Sequence, residues 1–249
     1  MTESSNAPPP ATPRQRPISS ARIERIFDHA SDTRSLFLKI IEGTPLRFVP
    51  GMFISITLPL PNETRVRPYT ITSSPEDGGP FEICFNRAPG GTGVAWLFER
   101  GVGAMVNFTG PFGAFTLDRA PEAELVFIAE GTAIAPIRPM IRRVLSQNLS
   151  RPVHLLYAAD SDEHILYRDE LVDLAAAHHE FHFETLIVEG DASTGDERLR
   201  AEVERRWVSA DNERRRHFYV CGVGRGVLTL RNLLRGAGYE RRAVHYEQW

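Results

Sequence analysis

The first half of the chain consists of short apolar runs separated by turn-forming residues. The clearest runs lie at residues 35–41, 52–58, 68–72, 81–86 and 105–110. Each is bounded by Gly, Pro, Asn or Asp, which is typical of antiparallel strands joined by turns. One further run, at residues 93–100, has helical spacing and follows a glycine pair. The pattern predicts an antiparallel β-barrel over residues 18–119.

After residue 120, apolar strands alternate with helices. Strands are predicted at residues 125–130, 153–159, 181–188, 217–222 and 243–248, and helices at 136–147, 166–177, 196–207 and 227–238. This alternation predicts a parallel sheet covered by helices on both faces. The fold class is therefore a β-barrel plus α/β, with a second domain at residues 120–249.

Composition adds limits to this picture. Residues 1–17 carry five prolines among small polar residues and predict a disordered tail. The net charge of -3 gives no basic field for nucleic acid. Because the sequence contains neither an apolar stretch of membrane-spanning length nor a hydrophobic signal core, we expect a cytoplasmic enzyme with no membrane contact, and a monomer.

Cysteines and histidines give little support for a metal site. Cys84 and Cys221 are the two cysteines, and they are too few for an iron–sulfur cluster or a four-ligand zinc site. Cys84 is expected in the core. The HHEFH run at residues 178–182 straddles a predicted helix end and a strand, so we expect no metal there. Arginine runs at 214–216 and 241–242 predict either solvated surface or a docking patch for an acidic partner.

Ligands of open parallel sheets lie beyond the carboxyl ends of the strands. Here those ends carry residues 130–133, Asp160, the Cys221 and Gly222 pair, and the chain end at 247–249. The GxGxxG fingerprint of common dehydrogenases is absent after the first of these strands, so that fold is not supported.

Seven short motifs occur in a fixed order. They are RPYTITSSP from Arg67, PGGTGVAWL from Pro89, GPFGAF from Gly110, EGTAIAP from Glu130, YAADSDEHILYRDEL from Tyr157, CGVGRG from Cys221 and a terminal YEQW. Together they resemble the ferredoxin–NADP reductase superfamily, from Ile18 to the last residue. The resemblance implies a flavin-binding barrel followed by a nucleotide-binding domain, with FAD and NAD(P)H as cofactors. GPFGAF is assigned no catalytic role.

The first two motifs carry the expected flavin site. By resemblance, Arg67 holds flavin phosphate, Tyr69 packs on the ring system and Thr70 lies near the flavin N5. A strand places Arg67 and Tyr69 on one face, and a guanidinium suits a pyrophosphate. The alternative is a chance Arg–Tyr pair on an exposed strand. The other expected cofactor-binding residues of these motifs are Pro68, Thr72, Ser73, Gly90, Gly91 and Thr92.

The glycine pair opens a short helix whose free amides can take the second phosphate. Val94 stands where the superfamily often has a serine, which leaves FAD versus FMN open. A plain glycine-rich turn is the equal alternative.

The nicotinamide side departs further from the superfamily. Gly131 and Thr132 match its loop, but Glu130 and Ala133 replace glycines, and an inward Glu130 would disfavour a pyrophosphate. Asp160 ends the second parallel strand, where a carboxylate accepts hydrogen bonds from a free ribose 2′-hydroxyl and repels a 2′-phosphate. NADH is therefore favoured over NADPH, although a helix N-cap role for Asp160 stays open.

The last two motifs complete the expected catalytic set, which is Thr70, Cys221, Glu247 and Trp249. By resemblance, Cys221 lies beside the nicotinamide C4, with Gly222 next to it, and Trp249 shields the flavin ring until nicotinamide displaces it. Val223 replaces the usual proline. The alternatives are a buried cysteine acting as a small hydrophobe and a terminal tryptophan that anchors the chain end.

The sequence thus predicts a flavoprotein that passes electrons from NAD(P)H through FAD to a separate acceptor. That acceptor is a redox partner protein or small molecule: ferredoxin, flavodoxin, an oxygenase component or a quinone-like compound. Two alternatives stay open. One is a flavin-binding electron-transfer subunit with weak nicotinamide activity, and the other is a cofactor-free interaction module.

Overall fold

The computed structural model describes residues 17–87, 92–147, 150–188 and 192–249. The predicted tail at residues 1–17 lies outside the described residues, apart from Pro17.

The N-terminal half is a six-stranded antiparallel sheet. Its strands are β1 (Ser19–Ala30), β2 (Thr33–Glu42), β3 (Phe53–Leu60), β4 (Glu63–Thr70), β5 (Phe81–Asn86) and β6 (Met105–Phe112), with helix α1 (Thr92–Phe98) between β5 and β6. The strand order is β4-β3-β6-β1-β2-β5. A bridge between Ile71 and Ile83 joins the chain after β4 to β5, so the two edges of the sheet meet. The predicted antiparallel architecture is confirmed.

Strand β1 does not correspond to any of the five clearest apolar runs in the sequence. Only Ala21 and Ile23 are fully buried in it, whereas Arg22 and Arg25 point to solvent. The inward positions at the start of the strand are a serine and an alanine, which are only weakly hydrophobic. The alternation of polar and apolar positions is therefore difficult to see in the sequence. The strand is nevertheless central, because it pairs with both β2 and β6.

The C-terminal half is a five-stranded parallel sheet. Its elements are β7 (Leu125–Glu130), α2 (Ile134–Leu145), β8 (Val153–Ala159), α3 (Arg168–Ala177), β9 (Phe181–Ile187), α4 (Ala192–Val203), β10 (His217–Gly222), α5 (Gly226–Gly236) and β11 (Val244–Gln248). The strand order is β11-β10-β7-β8-β9, and every pairing is parallel. The predicted parallel sheet is confirmed.

Alternate side chains of β7 face two separate cores, as expected for a central strand. Phe127 and Ala129 pack in a cluster with residues of α2 and α3. Val126 and Ile128 pack in a second cluster with residues of α4 and α5. Helices therefore cover both faces of the sheet. Within the described residues, no helix is both long and apolar enough to cross a lipid bilayer.

Gly51 lies where the loop before β3 passes under the chain that connects the two halves. Its φ is +97°, and a Cβ at this position would clash with the carbonyl oxygen of Phe115 and with Met140. We therefore expect Gly51→Ala to lower the free energy of unfolding by about 3 kcal/mol or more, because a strained backbone and a backbone clash add together. Urea unfolding followed by circular dichroism measures the change.

Gly79→Ala is the matched control for this substitution. Gly79 also has a positive φ, of +71°, but no atom lies within 4 Å of an added Cβ. Its cost is the backbone conformation alone, about 1–2 kcal/mol. Equal losses in the two variants would contradict the proposed clash at Gly51.

Candidate active site

The larger of two adjoining cavities lies between the antiparallel sheet and the carboxyl end of the parallel sheet. Its volume is about 500 Å³, and its walls are Phe53, Pro68, Tyr69, Thr70, Cys84, Phe85, Asn86, Val94, Thr132, Glu247, Gln248 and Trp249. Aromatic and aliphatic side chains make up most of the wall. Thr70, Asn86 and Thr132 add hydrogen-bonding groups. A flat aromatic ring system with polar edges fits such a space.

Tyr69 and Thr70 end strand β4 at the wall of the larger cavity. The Tyr69 ring packs edge-to-face on Phe85, with 5.6 Å between ring centroids. Burial raises the pKa of Tyr69 to about 12, although the Arg67 charge opposes this shift. Tyr69 is therefore a neutral phenol at physiological pH, available for packing and for hydrogen bonding.

Arg67 is exposed and is not among the residues that line the larger cavity, although it precedes Tyr69 by two positions on β4. Its Nη1 donates a hydrogen bond to the carbonyl oxygen of Val66, at 2.9 Å. Its aliphatic stem passes the first turn of α1, because an added Cβ on Gly93 would lie 3.8 Å from the Arg67 Cγ. The stem of the Arg67 side chain thus passes the helix at whose start a phosphate was predicted.

The smaller cavity has a volume of about 200 Å³ and lies next to the larger one. Its lining residues are Asp32, Thr33, Asn86, Glu130, Gly131, Thr132, Ala159, Asp160, His164, Leu166 and Val223. Asn86 and Thr132 line both cavities. The two cavities are therefore adjacent, and the pair, called the cleft below, runs from the barrel to the end of the second parallel strand.

The buried side chain of Tyr157 holds the loop after β7 in place. The Tyr157 hydroxyl donates to the carbonyl oxygen of Gly131 at 2.8 Å and accepts from the backbone N–H of Leu166 at 3.2 Å. Burial raises the pKa of Tyr157, so the hydroxyl keeps its proton. The floor of the smaller cavity is thus fixed by hydrogen bonds to backbone atoms.

Asp160 does not stand alone at the end of its strand. His164 Nδ1 lies 2.6 Å from the Asp160 Oδ1, and its Nε2 lies 3.2 Å from the Oδ1 of Asp32 in the other half. Burial lowers the pKa of His164, but the hydrogen bonds and charges of both carboxylates outweigh this effect and raise it above the usual value. The Asp160 carboxylate is therefore partly neutralised when His164 is protonated.

Glu130 lines the smaller cavity, where its negative charge disfavours an anionic ligand. Its Oε2 would lie 3.4 Å from a Cβ placed on Gly222. Burial, and then the charges of Asp196 and Asp160, raise the pKa of Glu130. A higher pKa lowers the mean negative charge of this wall but does not remove it.

The chain end is tied to the loop that follows β10. The backbone N–H of Trp249 donates to the Gly222 carbonyl at 3.1 Å, and the Gly224 N–H donates to the Trp249 carbonyl at 3.3 Å. These bonds place Trp249 at the mouth of the larger cavity with 42% of its surface exposed. Glu247 lines the same cavity, and burial raises its pKa despite an opposing hydrogen bond from Trp249.

The cleft brings together half of the site residues that the sequence predicted. Pro68, Tyr69, Thr70, Gly131, Thr132, Asp160, Glu247 and Trp249 line one or both cavities. Cys221 and Gly222 lie behind the wall, where burial raises the pKa of the Cys221 thiol. Gly90 and Gly91 lie outside the described residues. Thr92 begins α1.

Thr72 and Ser73 lie outside both cavities, although the sequence grouped them with the cofactor-binding residues. Thr72 donates its backbone N–H to the Glu82 carbonyl, and the Ser73 hydroxyl accepts from the Glu82 N–H at 3.0 Å. Both are almost completely buried. Their observed contacts tie the end of β4 to β5.

Sequence reasoning missed several residues of the cleft. Phe53, Asn86 and Asp32 lie outside the seven motifs, whereas His164 lies within the motif that begins at Tyr157 but was given no role. Cys84 is buried as expected, but it also lines the larger cavity, and burial raises its pKa to about 12. Among the described residues, no group of three His, Cys, Asp or Glu side chains is placed to hold a metal ion.

Two family models match consecutive parts of the chain. The model described as an oxidoreductase FAD-binding domain matches residues 20–117, and the oxidoreductase NAD-binding domain matches residues 127–227. Ferredoxin–NADP reductase B of Sorangium cellulosum is 31% identical over 92% of this chain and 96% of its own length. The chain belongs to the ferredoxin–NADP reductase superfamily.

Other relatives of this reductase are longer components of oxygenase systems. The toluate 1,2-dioxygenase electron transfer component of Pseudomonas putida is 26% identical over 92% of this chain and 67% of its own length. The chain spans 63% of the glycine betaine monooxygenase reductase subunit of Pseudomonas aeruginosa, also at 26% identity.

Solved structures show the same fold at lower identity. A Neisseria gonorrhoeae ferredoxin NADP+ reductase with bound FAD and NADP is 18% identical, with a TM-score of 0.78 over 93% of this chain and 98% of that one. The reductase described here is thus an FAD- and NAD(P)-dependent oxidoreductase of the ferredoxin reductase type, as the sequence predicted.

Proposed function

We propose that this reductase takes hydride from NADH in preference to NADPH and passes electrons, through FAD, to an oxygenase component or its ferredoxin. The observation that carries the proposal is the pair of adjacent cavities. Its larger, aromatic-walled cavity fits the flavin ring system, and the smaller cavity that shares Asn86 and Thr132 with it fits the nucleotide. The oxygenase partner is supported by the names of the relatives.

Bound FAD supplies the chemistry, because flavin accepts a hydride from reduced nicotinamide and releases electrons one at a time. The residues of the chain bind and align. Arg67 holds flavin phosphate, Tyr69 packs on the ring as a neutral phenol, and Thr70 offers a hydroxyl at the cavity wall. Trp249 covers the mouth of the cavity and excludes water until nicotinamide replaces its indole.

The nucleotide side is assigned by position. Thr132 contacts the nicotinamide end, since it lines both cavities. Cys221 and Glu247 are paired on the adjacent strands β10 and β11, at the carboxyl end of the sheet. Because the pKa of the Cys221 thiol is raised, this residue acts as a neutral packing group and not as a thiolate. Asp160 accepts from the ribose hydroxyl at the far end.

A second candidate is an electron-transfer subunit with weak nicotinamide activity. It is favoured by one observation, the acidic residue Glu130 in the lining of the smaller cavity, whose carboxyl group also interacts with the charges of Asp196 and Asp160. The cofactor-free interaction module has no comparable support, because the cleft between the halves is open. The expected cytoplasmic location, the monomeric state and the domain limits at 18–119 and 120–249 stay predictions.

Anaerobic titration tests the proposal. The yellow protein is mixed with NADH or NADPH in equal amounts, and bleaching of the flavin band is followed in a stopped-flow instrument. We expect NADH to bleach the flavin at a rate at least tenfold that of NADPH, since about 1.4 kcal/mol of discrimination suffices for this ratio. Slow bleaching by both nucleotides, with rapid reduction by dithionite, would favour the second candidate instead.

A further inference from the structure

A buried carboxylate joins the two halves of the molecule. Glu82, on β5, has 3% of its surface exposed. Its Oε1 accepts hydrogen bonds from the Ser35 hydroxyl at 2.6 Å and the Tyr167 hydroxyl at 2.7 Å, and its Oε2 accepts from the Arg138 Nη1 at 2.9 Å. A buried charge is retained only when it is paired in this way. Two of its three donors come from the C-terminal half.

Arg138 extends the contact from helix α2 to two further elements. Its Nη1 also donates to the Thr72 carbonyl at 3.1 Å, and its Nε donates to the Glu170 carboxylate of α3 at 2.9 Å. Its guanidinium stacks 4.2 Å from the centroid of the Tyr167 ring. One side chain thus links α2 and α3 to the chain that follows β4.

Tyr167 reaches this cluster through an uncommon backbone conformation. Its φ is +57°, in the left-handed region that disfavours side chains with a Cβ. Helix α3, predicted from residue 166, begins at Arg168 immediately after it. The Tyr167 ring also packs edge-to-face on His29, with 4.7 Å between centroids. Strain of this kind persists where the surrounding structure holds it, and it is concentrated at functional sites.

The cluster and the cleft share their supporting elements. Glu82, Cys84 and Asn86 alternate along β5 and so face the same side, and the last two line the cleft. Thr132, at the junction of the cavities, lies just before α2, which carries Arg138. A shift of the Glu82 contacts therefore moves the flavin wall relative to the nucleotide wall.

We propose that Glu82, Arg138 and Tyr167 are positioning residues that fix the distance between flavin and nicotinamide for hydride transfer. This proposal rests on the proposed function. The transferred hydride carries two electrons and one proton from the nicotinamide C4 to the flavin N5, and the cluster itself exchanges neither. Its effect comes through alignment, for which an error of about 1 Å can lower a rate about 100-fold.

The test compares Tyr167→Phe and Glu82→Gln with Glu76→Gln as a matched control. Glu76 pairs with Arg143 of α2 at 2.8 Å and so also joins the two halves, but it is exposed and lines neither cavity. We measure flavin content, the apparent Kd for NADH and the limiting rate of flavin reduction. In the two cluster variants we expect normal flavin content and Kd, with a limiting rate lower by about tenfold or more. The control keeps the wild-type rate.

The outcomes separate this proposal from the proposed function. If neither nucleotide reduces the wild-type flavin, the proposed function fails. If the wild-type protein is reduced normally and Tyr167→Phe reacts at the same rate, only the positioning role is overturned. Should Glu82→Gln not retain FAD, Tyr167→Phe decides, because it removes a single oxygen atom. Two other results for Tyr167→Phe would also contradict a positioning role. One is loss of flavin, and the other is weaker binding of NADH with an unchanged limiting rate of flavin reduction.

Discussion

The Arg67→Ala protein is expected to leave purification with little bound flavin. The Arg67 side chain is exposed and passes the first turn of α1, and among the described residues no carboxylate contacts its guanidinium, so its charge is available for a phosphate. A charged hydrogen-bonding contact of this kind contributes about 2–3 kcal/mol, which corresponds to roughly 30- to 150-fold weaker FAD binding. The ratio of flavin to protein absorbance and a titration of the apoprotein with FAD measure the loss.

Arg22→Ala serves as the control for this substitution. Arg22 is an exposed arginine of the same sheet, paired with Glu24 at 3.1 Å on β1, and it lies outside the cleft. Its replacement removes the same side chain without touching the expected phosphate site. Full flavin content in Arg67→Ala, or an equal decrease in both variants, would count against the assignment of Arg67.

The architecture could be predicted because each half follows one periodicity. Alternation of short apolar runs in the first half, and of strand and helix in the second, is set by which faces are buried. Strand β1 was not among the clearest runs for the same reason, because few of its buried positions are strongly apolar. Its inward positions begin with serine and alanine, which fit a crowded interior but leave little hydrophobic signal.

The cleft was predicted only where a motif stays contiguous in sequence. Tyr69, Thr70 and Thr132 were found because each lies in a short pattern, and all three line the cavities. Asn86 lies in no motif, and His164 lies within the motif that begins at Tyr157 but was given no role there. Their role depends on which strand edge and which loop meet across the two halves, and that juxtaposition is a property of tertiary packing.

The preference for NADH over NADPH is expected to rise with pH. The pKa of His164 is raised by its hydrogen bond to Asp160 and by the charge of Asp32, so protonated His164 compensates these carboxylates at lower pH. As the pH rises through that pKa, the imidazole becomes neutral and the two carboxylates repel a 2′-phosphate more strongly. NADH carries no charge there, so its kcat/KM should change less. A change of about 1 kcal/mol in repulsion alters the ratio of the two kcat/KM values roughly fivefold.

Substitutions separate the contribution of the protein from that of the ligand, since a 2′-phosphate itself titrates near neutral pH. Asp160→Asn removes the charge that repels the phosphate, and we expect it to lower the NADH preference about tenfold. His164→Gln should keep a strong preference for NADH over NADPH. Any pH dependence that remains in this variant comes from titration of the 2′-phosphate of NADPH. Asp162→Asn is the matched control, because Asp162 lies in the same loop but pairs with Arg168 away from the cavity. If Asp160→Asn and Asp162→Asn gave the same ratio at every pH, Asp160 would have no part in nucleotide selection, and its contact with His164 would serve only to hold the two halves together.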